Sequence, residues 1–95
     1  MNFADFKLSL QNNNPPENIA AYLQALWYDA KNDWNKAHLL ADSVEDKNAY
    51  WVHAYLHRKE GDKSNANYWY HKAGKKMPDY SLQEEWIDIA ETLVK

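Results

Sequence analysis

His53, His57 and Glu60 stand at i, i+4 and i+7, a spacing that brings two imidazoles and a carboxylate onto one face of a helix. Neutral imidazole and carboxylate are the ordinary ligands of a divalent transition metal, so the face has the composition of half a metal site. The residues between the histidines are Ala54-Tyr55-Leu56, which is not the HExxH pattern of metalloproteases. A further protein ligand must come from elsewhere, and His38 and His71 are the available candidates. The competing reading makes both histidines packing residues that face a partner helix, each hydrogen-bonded to a neighbouring Tyr or carboxylate. That second reading is the expectation, and it implies no metal and no other cofactor.

Other chemistry is sparse. Two glycines leave no room for a phosphate-cradling loop, and no nucleophile elbow surrounds Ser9, Ser43, Ser64 or Ser81. No acidic pair is flanked by residues that would desolvate one carboxyl and leave the other ionised. The chain is therefore expected not to be an enzyme. Tyr68-Trp69-Tyr70-His71-Lys72 places consecutive aromatics at different angles around a helix, so Tyr70 can be core while Tyr68 or Trp69 must face solvent or an interface, such as a homodimer contact. Lys72, Lys75 and Lys76 follow, a favourable charge for a helix C-terminus rather than a phosphate site.

The elements that must position these residues read as helices throughout. Phe3, Phe6 and Leu10 line a short first helix, which Asn12-Asn13-Asn14-Pro15-Pro16 ends. Pro16 suits the first turn of a second helix over 16–31, with Glu17 at its positive end. Asp33 caps a third from Trp34 to about Ser43, Asp46 a fourth running to Glu60, and Asp62 a fifth running to about Met77. Ser81 and Glu84 form a capping box that opens a last helix to Val94, striped by Leu82, Trp86, Ile89 and Leu93.

Tyr50, His53-Ala54, His57, Gly61-Asp62, Ala66, Tyr70, Ala73 and Pro78 fall at the spacing W-x2-L-G-x2-Y, A-x3-F, P. A fainter copy lies 29 residues upstream, with Ala25, Tyr28, Asn32, Asp33 and Ala37 at the places of Ala54, His57, Gly61, Asp62 and Ala66. The chain resembles tetratricopeptide-repeat proteins in this pattern. The unit is shorter than the usual 34 residues, and the shortening falls at residues 42–46. The segment from Trp51 to Tyr70 is also similar to small bacterial proteins to which no activity attaches. The resemblance implies an all-α, tetratricopeptide-like stack of two helical hairpins with an N-terminal helix and a C-terminal capping helix, residues 1–95 forming one domain. It further implies an interaction scaffold whose first helices hold a peptide or protein segment. Carried over by position, the binding face comprises Tyr22, Leu26 and Asp29 from the first unit, and Asn48, Trp51, Tyr55, Arg58 and Lys59 from the second. A partner would lay apolar side chains on Trp51, Tyr55 and Tyr22 and pair a carboxylate with Arg58. Alternatively, the terminal helices fold across this groove and bury its rings.

Composition sets the remaining bounds. Hydrophobic residues make up 45% of the chain, enough for a single modest core. Twelve of the fourteen aromatics are Trp or Tyr, so most rings carry a polar tip that needs a partner. A net charge of −3 supplies no basic field for nucleic acid. No apolar run approaches the length of a membrane helix, no signal-peptide pattern is evident, and the absence of cysteine fits the cytosol.

Overall fold

The computed structural model describes residues 1–94, which form six α-helices: α1 (Phe3–Leu8), α2 (Ala21–Ala30), α3 (Trp34–Asp42), α4 (Lys47–Glu60), α5 (Lys63–Ala73) and α6 (Leu82–Leu93). A 3₁₀ turn over Ser9–Gln11 extends α1. Side chains mark most of the starts. Asp33, Asp46 and Asp62 each accept from the backbone N–H three residues on, and Ser81 with Glu84 closes the full capping box.

Two boundaries differ from the sequence reading. The second helix begins at Ala21, not at Pro16, because Asn18 adopts a left-handed conformation (φ 62°) that no helix can include. Its N-cap is Ala20, which has no side chain with which to announce the start. The fifth helix stops at Ala73, short of Met77, because Gly74 (φ 73°) forms a left-handed cap whose N–H returns to the carbonyls of the last turn.

Helices α2 and α3 pack as one hairpin, α4 and α5 as another, and α3 against α4 joins them. Alanines at the contacts, Ala25, Ala37, Ala54 and Ala66, are fully buried and let the backbones approach closely. The two hairpin turns are built alike. Asn32 (φ 65°) and Gly61 (φ 91°) both turn left-handed, and the N–H of Asp33 and of Asp62 then returns to the carbonyl of Tyr28 and of His57. Those equivalences fall at the 29-residue offset.

The terminal helices do not sit at opposite ends. α6 lies across α2 and α4, where Trp86 donates its indole N–H to the carbonyl of Leu26 at 3.0 Å. Phe6 of α1 stacks on the Trp86 ring at 5.9 Å between centroids, so the first and last helices touch. One buried cluster consequently runs from Phe6 through Trp27, Val52, Tyr70 and Ile89 to Val94. Among the described residues no helix is long and apolar enough to cross a membrane.

Candidate functional site

Helix α4 carries chemistry on two faces. One face meets α6 and α2; the other meets α3 and α5.

The first face holds the residues assigned to a partner. Leu26, Trp51 and Tyr55 are buried, Tyr22 and Arg58 are half-buried, and Asn48 and Lys59 are exposed. The covering element is α6. Glu85, 0% exposed, accepts from Arg58 Nη1 at 2.8 Å, from the Tyr70 hydroxyl at 2.6 Å, and from Trp51 Nε1 at 3.4 Å. Arg58 also donates through Nη2 to the carbonyl of Tyr80, just ahead of α6. A charged guanidinium, a phenol and an indole thus converge on one carboxylate, and each is a donor. Burial, then the hydrogen bond to Glu85, pushes the Tyr70 hydroxyl well above its ordinary pKa, which keeps it a donor. Helix α6 therefore covers the groove, and the rings of Trp51 and Tyr55 serve the core while Tyr22 packs half-buried against it.

A second buried carboxylate, Asp29, accepts from the Tyr55 hydroxyl and from Lys59 Nζ, each at 2.8 Å. Burial and the adjacent Asp29 charge raise the Tyr55 pKa. Beside α6 there remains a cleft of about 340 Å³, lined by Leu10, Asp29, Tyr55, Lys59, Leu82 and Trp86. Of its polar groups, Tyr55 and Lys59 are bonded to Asp29, and Lys7, Asn32 and Gln83 also line it.

The other face of α4 gathers three imidazoles. His53 and His57, one turn apart, stack with centroids 4.9 Å apart, and His38 from α3 meets both edge-on at 4.7 and 5.1 Å. His38 Nε2 and His53 Nε2 are 3.1 Å apart. One ring nitrogen from each of the three histidines lies within 4.8 Å of the other two. Indoles fix the planes of two rings, Trp34 stacking on His38 at 5.0 Å and Trp69 on His53 at 3.9 Å. Trp34 is itself tied to α4 by an indole N–H donated to the Leu56 carbonyl at 2.9 Å. Burial first, then the neighbouring imidazoles of His38 and His57, lowers the His53 pKa to about 4, so at neutral pH this ring is uncharged.

Of the three residues picked out by spacing, the structure brings His53 and His57 to this point but not Glu60. The Glu60 carboxylate is bonded to His57, 2.6 Å from Nδ1, but stands outside the three-histidine group, in which His38 takes the third place. His71 is exposed on α5, away from the cluster. Tyr68 is exposed on the same helix while Trp69 is half-buried against His53, so the aromatic run divides as its spacing requires. Lys75 Nζ sits 3.9 Å from the centroid of the Trp51 ring, covering it from solvent.

Glu85 was missed by the sequence reading, although a signal existed. It lies between Leu82 and Ile89 on the apolar stripe of α6, and a carboxylate on a buried stripe demands a buried cation or donors.

No protein-family model, curated protein or solved structure matches this chain. Any functional reading therefore rests on its own residues.

Proposed function

We propose that the chain is a small protein-interaction module of tetratricopeptide-like build, in which the face lined by Tyr22, Leu26, Trp51, Tyr55 and Arg58 recognises an amphipathic helix bearing a carboxylate. The observation that carries this reading is the seating of α6, whose Glu85 meets Arg58, Tyr70 and Trp51 while Trp86 enters the apolar surface beside them. This is the chemistry expected of a partner, performed by the chain's own last helix. In the resting chain α6 is the resident ligand, and a partner helix of the same pattern, or the α6 of a second copy, competes with it. Linkage within one chain gives α6 a high effective concentration, so exchange needs a partner that binds more tightly or a linker that lets go. The role is one of binding rather than catalysis.

The test is to open the covalent link. A protease site inserted between Pro78 and Asp79, outside the helices, allows α6 to be cut free without altering the groove. A labelled peptide of residues 79–95 should then exchange into the cut protein with saturable fluorescence anisotropy. The same peptide with Glu85→Ala should bind at least about a hundredfold more weakly, as expected when one partner of a buried charge pair is lost. Equal binding of the two peptides, or dissociation of the cut fragments without reassociation, defeats the proposal.

A further inference from the structure

We propose that His38, His53 and His57 form a site for one divalent transition-metal ion of the zinc class, held by three imidazoles with a fourth position left for water or an exogenous ligand. The proposal does not depend on the groove, since the cluster occupies the opposite face of α4.

Three observations support it. The first is distance. Two nitrogens bound to a tetrahedral ion at about 2.0–2.1 Å are themselves about 3.3 Å apart. His38 Nε2 and His53 Nε2 are already separated by 3.1 Å, and a nitrogen of His57 falls within 4.8 Å of both. Small side-chain rotations, rather than any movement of the helices, bring the three to a common ion.

The second is the arrangement behind the rings. Metal-binding histidines are commonly oriented by a carboxylate on the nitrogen that does not bind. Glu60 Oε2 stands 2.6 Å from His57 Nδ1, and Asp42 Oδ1 stands 3.9 Å from His53 Nδ1. Glu60 can hold the proton on His57 Nδ1 and so leave Nε2 with its lone pair, while Asp42, beyond hydrogen-bond distance, contributes only its charge beside His53. Asn65 Nδ2 lies 3.4 Å from His57 Nε2, a long contact that an ion could replace. Trp34 and Trp69 restrict the planes of His38 and His53, and all three ligands project from regular helices, so little freedom is lost on binding.

The third is the composition of the cluster. Each neutral imidazole carries one N–H and one lone pair, so a ring whose N–H is turned to a neighbouring acceptor has a lone pair to give to a cation. A surface recess of about 90 Å³, lined by Asp42, Glu45, Tyr50, His53, Trp69 and Lys72, opens beside His53. Asp42 and Glu45 offset the positive charge of Lys72, whose ammonium rests on the rings of Tyr50 and Trp69. Three protein ligands and an open position describe a site where an ion can exchange or meet another molecule, unlike a closed four-ligand structural site.

Co²⁺ is the first probe, because its visible d–d absorption reports four-coordinate nitrogen ligation directly. Titration of the full chain, freed of metal by a chelator, should give a saturable band at one Co²⁺ per chain that Zn²⁺ bleaches. His38→Ala and His57→Ala should each weaken binding at least about a hundredfold, whereas His71→Ala should leave it unchanged. Glu60→Gln, which acts only through His57, should weaken it about tenfold with the band intact. Nitrogen-15 spectra of the unaltered chain provide a check free of folding artefacts. On adding Zn²⁺ the ring resonances of His38, His53 and His57 should shift, and that of His71 should not. Absence of a saturable band, or His38→Ala binding as the parent chain does, overturns the proposal in favour of a metal-free hydrogen-bonded cluster.

Discussion

The two faces of α4 bury polar groups by opposite means. Towards α6, one carboxylate is met by three donors of different kinds, and the charge of Glu85 is answered by that of Arg58. Towards α3, three groups of the same kind are gathered, and their only opposite charges, Glu60 and Asp42, lie behind them. A set of complementary groups is satisfied by folding itself, and its natural role is to hold two helices together. A set of like groups, hydrogen-bonded among themselves and to Glu60, is satisfied by the fold as well but keeps lone pairs that an added cation could take. The contrast separates a clasp from a receptacle within a single helix.

The largest expected effect lies at the clasp. Glu85→Ala leaves Tyr70 and Trp51 without their acceptor and Arg58 with the Tyr80 carbonyl but no opposite charge, and should cost about 3–5 kcal/mol of unfolding free energy in urea titrations. His38→Ala, which removes a half-buried member of the other cluster, should cost about 1 kcal/mol in the same assay. Equal losses at the two positions would erase the distinction. Zn²⁺ provides the next largest effect. At a free concentration a hundred times its dissociation constant it should stabilise the chain by about 2.7 kcal/mol, seen as a rise in Tm that His38→Ala abolishes and that Lys75→Ala on the clasp side retains.

Acid should also act on the histidine face. The folded-state pKa of His53 is lowered to about 4 against 6.5 for a free histidine, so between those values the unfolded chain binds more protons than the folded one. Stability is then fully present above about pH 6.5 and is lost as pH falls towards 4, with a maximal slope near 1.4 kcal/mol per pH unit for a single proton. His53→Gln should flatten that part of the stability profile, and an unchanged profile would show that another group governs it. The smallest effects belong to the matched turns. Asn32→Gly should be neutral or stabilising by a few tenths of a kcal/mol, and Gly61→Ala destabilising by about 1 kcal/mol. A Cβ at Gly61 meets no atom within 4 Å, so the second loss would be purely conformational and readable from denaturation midpoints.

Much of the fold is written locally. The starts at Asp33, Asp46, Asp62 and Ser81 are legible because a capping side chain is a chemical statement made at one position. The start at Ala21 is not, since Ala20 contributes only backbone and the decisive left-handed residue, Asn18, is two positions earlier. The pairing of His53 with His57 follows from helical spacing, but the approach of His38 depends on how α3 packs against α4, which no local pattern encodes. The same limit hid the closure of the groove. Arg58 could be read as awaiting a carboxylate; that the carboxylate is Glu85, 27 residues on in the same chain, is a property of tertiary packing.

The contact of Phe6 with Trp86 also has a meaning in time. A chain is made from its N-terminus, so α1, α2 and α4 are synthesised before the helix that packs on them. Until α6 has followed, Leu26, Trp51 and Phe6 present an apolar surface to the cell, and Arg58 has no acid to hold. Docking of α6, made after the surface it covers, is therefore the step that closes the groove in each newly made copy.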